Sequence, residues 1–157
     1  MVARPAELHR ATSSDGAAVG PLSFGQRTRL AAEIIVAFVR ARHALHRAPI
    51  DTAVAMLRMH ARARSETTAT TPADIELAEA RRLGRAVVRT LTLVPGDTRC
   101  LVRSLVLTRL LARRGIPAKL VIGARAAPDF LAHAWVECAG HPVISPGDGS
   151  YGRLIEL

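Results

Sequence analysis

The chain has 157 residues, of which 49% are hydrophobic and 22% charged, and its formal net charge is +9. This length suits one ordinary domain, and the composition excludes global disorder, a collagen-like chain and a coiled-coil rod. Only 3% of the residues are aromatic and none lies in the arginine-rich stretches, so we expect no nucleic-acid partner. Two cysteines form at most one pair, which excludes a disulfide scaffold.

The amino-terminal segment, Met1 to Pro21, has no apolar periodicity and is interrupted by charged residues. We expect a flexible arm there and no signal peptide. The most apolar early run, Leu30 to Val39, is far shorter than the ~20 residues that a membrane helix needs. The sequence therefore predicts one domain over residues 22–157 in a soluble, cytoplasmic protein whose thiols stay reduced.

The first two helices are predicted from their caps and apolar spacing. Ser23 and Gln26 have capping-box spacing, and the first helix continues from there until Pro49. Its expected buried residues are Leu30, Ile34, Ala37, Phe38 and Ala41. Asp51 is the predicted N-cap of the second helix. That helix is expected to turn Val54, Met56 and Leu57 to the core, and Arg58, Arg62 and Arg64 to solvent.

Two more helices follow a polar loop, Ser65 to Thr71. Thr71-Pro72 opens the third helix, because proline suits the first helical turn, and Pro95-Gly96 ends it. The fourth helix is predicted from Arg99 to Arg114. Its expected cap is Asp97 or Thr98, and its expected end is Gly115.

Beyond Pro117 the sequence predicts three strands, over residues 118–124, 132–138 and 142–145. Ala139-Gly140 is the tight turn between the last two. Helices followed by a small antiparallel sheet predict an α+β domain.

Cys100 falls in the first turn of the fourth helix. The free N–H groups and partial positive charge of a helix start stabilise a thiolate, and Arg99 and Arg103 act in the same direction. A single cysteine is more often a small buried apolar residue, so its position alone leaves both interpretations open. Cys138 lies among apolar neighbours in the second strand, and we predict an inert core thiol.

His133 belongs to the second strand, where alternation places His133, Trp135 and Glu137 on one face. A lone strand histidine is more often a satisfied polar group than a catalyst. A cysteine at a helix start and a histidine on a following strand are nevertheless the parts of a thiolate–imidazolium pair. We therefore predict that Cys100 and His133 act together.

A third group should accept the second N–H of the imidazole. Asp148 has suitable chemistry in a glycine-rich turn, and it is our first choice. Ser145, at the end of the third predicted strand, has the better position and a weaker acceptor. Glu137 shares the face of His133, but we expect it at the margin of the sheet.

The sequence indicates no metal and no cofactor. The six histidines, which are His9, His43, His46, His60, His133 and His141, have no zinc-ligand spacing with cysteine or glutamate. The chain has neither a glycine-rich dinucleotide motif nor a phosphate loop.

Five segments carry a resemblance to a known family: residues 41–45, 100–105, 113–118, 120–123 and the His133-Ala134-Trp135-Val136-Glu137 strand. In order and spacing they resemble the transglutaminase-like cysteine peptidases of lasso-peptide biosynthesis. The resemblance extends from Leu22 to the carboxyl terminus. It implies a papain-like core, in which a helix bearing the nucleophile packs on an antiparallel sheet.

The resemblance implies a concrete activity in a bacterial cytoplasm. These enzymes remove the leader from a ribosomal precursor peptide, so that an ATP-dependent cyclase can close a macrolactam on the new amino terminus. Cys100 matches the family nucleophile and His133 its general base. The family's third member is an aspartate, where this sequence has Ser145, with Asp148 just beyond.

The resemblance also implies partners. Family members are either fused to a leader-recognition domain or separate from it, and the residues before Ser23 are too few and too polar to fold alone. We therefore expect a separate leader-recognition protein besides the precursor, and the macrolactam cyclase as a further partner. Two other functions remain open: a papain-like amidase or acyl transferase using the same pair, and a non-catalytic binding protein.

Overall fold

The computed structural model describes residues 23–62, 72–95, 99–126, 129–147 and 150–157. The predicted arm and the loop from Ser65 to Thr71 lie outside the described residues. Within them, four helices precede four strands: α1 (Phe24–Arg47), α2 (Ile50–Arg62), α3 (Ala73–Thr92), α4 (Cys100–Ala112), β1 (Lys119–Arg125), β2 (Leu131–Cys138), β3 (His141–Pro142) and β4 (Gly152–Glu156). The predicted α+β class is confirmed.

Helix α4 lies at the centre of the fold. Its apolar side chains are buried on every side of the helix, and Leu105, Leu107 and Leu110 are wholly inaccessible. Helices α1, α2 and α3 pack around it, and strands β1 and β2 cover the remaining side. A helix that is apolar all round must be buried in this way, because no face of it favours water.

The caps of α1 and α4 follow local rules of helix termination. The Ser23 hydroxyl accepts from the backbone N–H of Gln26, and the Gln26 side chain accepts from the Ser23 N–H, which confirms the capping box. Gly115 follows α4 with a φ of 69°, and the Ile116 N–H reaches back to the Leu111 oxygen. Glycine adopts this left-handed conformation without steric cost, so Gly115 stops the helix as predicted, although α4 ends at Ala112 instead of Arg114.

Three expectations about α2 are wrong. The helix begins at Ile50, because the Pro49 carbonyl accepts from the Ala53 N–H, and Asp51 lies inside the first turn instead of capping it. Met56 is 43% exposed and does not reach the core. Arg58 is half-buried, since its guanidinium donates to the main-chain oxygens of Ala118 at 2.8 Å and Leu157 at 2.9 Å.

The sheet has the strand order β3-β2-β1-β4, and every neighbouring pair is antiparallel. The third strand is shorter than predicted, and Ser145 lies after it instead of within it. Strand β4, which pairs with β1, was not predicted. All five of its residues are exposed, so it lacks the alternation of buried and exposed residues that usually marks a strand.

Candidate active site

Cys100 is the first residue of α4 and is half-buried. Arg99 occupies the N-cap position and offers no side-chain cap to the helix, whereas the predicted caps Asp97 and Thr98 lie outside the described residues. N–H groups at a helix start that the N-cap side chain leaves unbonded can stabilise a thiolate or a developing oxyanion. Cys100 therefore has the position that a nucleophilic cysteine needs.

His133 lies on β2 and is half-buried between two aromatic rings. Its ring centroid is 6.1 Å from that of Trp135, which confirms that the two share a face, and 5.2 Å from that of Tyr151. Its Nε2 atom is 3.0 Å from the main-chain oxygen of Ser145. The imidazole is thus held by two rings and one polar contact.

The start of α4 contacts β2 along the edge of that strand that faces away from β1. The Val136 oxygen accepts from the Val143 N–H, so it points away from β1, and the Ala134 oxygen points the same way because strand carbonyls alternate. Ser104, one turn after Cys100, donates to that Ala134 oxygen at 3.0 Å. The helix start and the strand residue next to His133 are therefore in direct contact.

The thiol of Cys100 and the imidazole of His133 share no hydrogen bond in the described part of the chain. Catalytic hydrogen bonds in enzymes without substrate are often long and tighten only in the complex. The structure therefore brings together the elements that carry the two side chains, without pairing their reactive atoms.

Glu137 lies near the end of β2, opposite the first residue of β1, as expected for the margin of the sheet, but it is buried and already engaged. It accepts from the Trp135 indole N–H at 2.9 Å and from the Arg153 guanidinium. Arg153 also bonds Glu156 at 2.6 Å, and this contact lowers the pKa of the Glu156 carboxyl, with Lys119 adding to the effect. Glu137 therefore holds Trp135 in place and is not available to orient His133.

Close approach around Trp135 requires glycine on β1. A Cβ atom at Gly123 would lie 3.0 Å from the indole ring and 2.8 Å from the Gly152 oxygen on β4. The flat indole can lie over the sheet only because Gly123 has no side chain.

The two candidates for the third member have different outcomes. Asp148 lies outside the described residues, so its role stays a prediction. The Ser145 hydroxyl accepts from the Gly147 N–H at 3.2 Å, while its main-chain oxygen faces His133. Ser145, which was predicted from its position, therefore does contact the imidazole, but with its main-chain oxygen instead of its side chain.

Cys138 differs from Cys100 in burial and surroundings. It is 1% exposed and belongs to the apolar core, which confirms the predicted core thiol. Burial raises the pKa of the Cys138 thiol, and the negative charge of Glu76 raises it further. Because thiolate is the reactive form, Cys138 has the environment of an unreactive cysteine.

Positive charge is concentrated at the far end of α4. An open cleft of about 400 Å³ is lined by Gln26, Arg29, Leu30, Glu33, Arg82, Arg113 and Arg114. Glu33 pairs with Arg113 at 3.1 Å and with Arg114 at 2.9 Å, so the carboxylate fixes two guanidinium groups. Glu79, which is outside the lining, pairs with Arg82 at 2.7 Å, and four arginines against these two glutamates leave the cleft positive.

Two features are absent from the described residues. They contain no group of three or more histidine, cysteine, aspartate or glutamate side chains that could hold a metal ion. None of their helices combines the length and the apolar character that crossing a membrane requires.

Sequence reasoning missed Tyr151, Gly147 and Arg153. Tyr151 packs on the imidazole and Arg153 pairs with Glu137, yet both follow the predicted sheet. Their only signal in the sequence is a glycine-rich turn followed by a lone tyrosine. That signal does not indicate which strand the segment meets.

A comparison with family models matches the transglutaminase-like superfamily over residues 44–155. The chain therefore belongs to this superfamily, which includes cysteine proteases and acyltransferases. No curated protein and no solved structure matches the chain.

Proposed function

We propose that the protein is a cysteine peptidase that removes the leader from a ribosomally made lasso-peptide precursor. The observation that best supports this chemistry is the Ser104–Ala134 hydrogen bond, because it joins the helix start bearing Cys100 to the neighbour of His133. Membership in a superfamily that includes cysteine proteases supports the reaction class. The resemblance of the quoted sequence segments supports the substrate.

The proposed reaction has two halves. The Cys100 thiolate attacks the scissile carbonyl carbon, and the His133 imidazolium gives its proton to the departing amine of the core peptide. The leader remains as a thioester on Cys100. Water that loses a proton to His133 then attacks the thioester, which releases the leader carboxylate and restores the thiolate. The Cys100 N–H at the helix start is the proposed oxyanion donor, and no cofactor takes part.

The resemblance favours Asp148 as the third member, and Ser145 is the alternative. Either group would accept the second imidazole N–H and keep the ring oriented.

A separate leader-recognition protein is the proposed partner, with the macrolactam cyclase downstream. The arginine-lined cleft is a suitable docking surface for an acidic segment of that partner, since its arginines outnumber the glutamates that hold them in place. It lies beyond the carboxyl end of α4, so a partner docked there leaves the opposite end, with Cys100, open to substrate.

Incubation of the chain with a precursor and its recognition protein tests the function. Mass spectrometry should detect cleavage at the leader–core junction with the wild type and with Cys138→Ala, and none with Cys100→Ala. Cleavage that survives Cys100→Ala but fails with Cys138→Ala would refute the assignment. Glycine amide added to the mixture separates hydrolysis from acyl transfer, because transfer adds its mass to the leader. No cleavage by any variant would favour a binding protein.

The docking surface has its own experiment. Arg29→Glu reverses an exposed charge in the cleft, whereas Arg40→Glu makes the same change at an exposed position of α1 that does not line it. We expect Arg29→Glu to weaken binding of the recognition protein by roughly tenfold at low salt and less at high salt. Equal effects of the two variants in a titration would indicate only a general charge effect.

A further inference from the structure

The contact between His133 and Ser145 determines which imidazole nitrogen carries the proton. Nε2 lies 3.0 Å from the Ser145 main-chain oxygen. A carbonyl oxygen has no proton to donate, so Nε2 must be the donor. In the neutral ring, Nδ1 is therefore the unprotonated, basic nitrogen.

We propose that the main-chain carbonyl of Ser145 orients the His133 imidazole, in the place where related enzymes use an aspartate side chain. Ser145 is then a positioning residue that acts through His133, and its role in catalysis rests on the proposed function. Its hydroxyl oxygen is engaged by the Gly147 N–H at 3.2 Å, which leaves the carbonyl as its contact with the ring.

The carbonyl is held in place from both sides of its segment. Before it, the Val143 N–H donates to the Val136 oxygen at 2.8 Å, and α3 approaches so closely that a Cβ on Gly84 would lie 3.2 Å from the Val143 oxygen. After it, Gly147 has a φ of +85°. The segment is therefore fixed by backbone contacts and conformation.

Gly147 also connects the carbonyl to the second ring on His133. A Cβ at Gly147 would lie 2.8 Å from Cε2 of Tyr151, whose ring centroid is 5.2 Å from that of the imidazole. A side chain at this position would both strain the backbone and displace Tyr151. A side chain at Gly147 would therefore disturb the segment that carries the Ser145 carbonyl and, with it, the packing of Tyr151 on the imidazole, while the His133 residue itself is kept.

The proposal is tested by comparing the kcat of Gly147→Ala with that of Gly140→Ala, which is the matched control. Gly140 has a φ of +77°, close to that of Gly147, but a Cβ there meets nothing within 4 Å. We expect Gly147→Ala to lower kcat by about 10–100-fold with little change in KM, because a misplaced catalytic group slows the chemical step. Gly140→Ala should show similar backbone strain in its melting temperature and keep its kcat. Equal kcat values for the two variants would overturn the proposal.

Asp148→Asn distinguishes whether the Ser145 backbone carbonyl or the Asp148 carboxylate orients the imidazole. If Asp148 oriented the imidazole, its loss would lower kcat by about 10⁴-fold, as for the aspartate of a serine-protease triad. The carbonyl proposal expects a loss below about tenfold, because the acceptor on Nε2 remains. A loss of the larger size would assign the role to Asp148.

A spectroscopic measurement needs no precursor peptide. In the Cys100→Ala variant with ¹⁵N-labelled histidine, at a pH where the ring is neutral, His133 should show the Nε2–H tautomer. The Nδ1–H tautomer would refute the proposed contact even if the enzyme is active. Conversely, if the peptidase proposal fails but His133 shows the Nε2–H tautomer without the minor Nδ1–H form that free histidine populates, the contact stands without its catalytic role.

Discussion

Alternate residues of strand β2 face two different environments. On the inner face, Ala134, Val136 and Cys138 are at most 2% exposed and pack into the apolar core with α4. On the outer face, His133 and Trp135 stack, and Trp135 donates to Glu137. Residues 134–138 are buried on both faces, but the inner face packs into the apolar core, whereas the outer face holds polar groups in defined directions. On this one strand, the residues that pack into the core lie on one face, and His133, the proposed acid and base, lies on the other.

The largest expected effect is on the outer face. His133→Ala should lower the rate of precursor cleavage by about 10³-fold or more, because it removes the proposed acid and base together. His141→Ala, at an exposed position of β3, is the matched control and should cleave at the wild-type rate. The measurement is the initial rate by mass spectrometry. Retained activity in His133→Ala would leave the outer face without a catalytic role.

A substitution on the inner face should change stability instead. Val136→Ala removes two buried methyl groups from a side chain with no exposure, so we expect a loss of about 2–3 kcal/mol in the free energy of unfolding. Leu154→Ala, at a 64% exposed residue of β4, should change it by less than about 0.5 kcal/mol. Urea denaturation measures both. Similar values would mean that burial on β2 does not decide stability.

Substitutions of Glu137 test whether the outer face also contributes to the stability of the fold. Glu137→Ala leaves the Trp135 indole N–H without its acceptor, and a buried unsatisfied donor costs about 1–3 kcal/mol. Glu137→Gln keeps an acceptor oxygen for the indole and should recover part of that loss. If glutamine is no better than alanine in urea denaturation, the indole hydrogen bond contributes little.

The smallest expected effect is the contribution of Cys138 to the pH dependence of the free energy of unfolding. Burial raises its pKa above the ordinary value of 9.0, so the folded state keeps the proton that the unfolded state loses first. The stabilisation is complete below the unfolded pKa and decreases as pH rises through the folded pKa. The difference in unfolding free energy between wild type and Cys138→Ala should therefore shift against the wild type above pH 9.0. A difference that is constant with pH would contradict the raised pKa.

Most of the helical part could be predicted because its signals are local. The capping box of α1 and the glycine after α4 each involve residues a few positions apart. The predicted start of α2 was wrong by two residues, since proline and aspartate both suit a first turn. Met56 was assigned to the core from a spacing that Val54 and Leu57 satisfy better.

The candidate site could be predicted only in part. Cys100 at a helix start and His133 on a strand follow from local sequence, and the structure has both in those positions. Strand β4 and Tyr151 could not be predicted, because the pairing of β4 with β1 joins residues about thirty positions apart and all five β4 residues are exposed.

By itself, the sequence determined the α+β class, the apolar character of α4 and the division between an inner and an outer face of β2. These depend on side-chain periodicity and on hydrogen bonds within a helical turn. Only the tertiary structure decided that the Ser145 carbonyl meets His133 and that Ser104 meets Ala134. In both contacts the acceptor is a main-chain oxygen, whose position depends on the path of the chain and not on the identity of its residue.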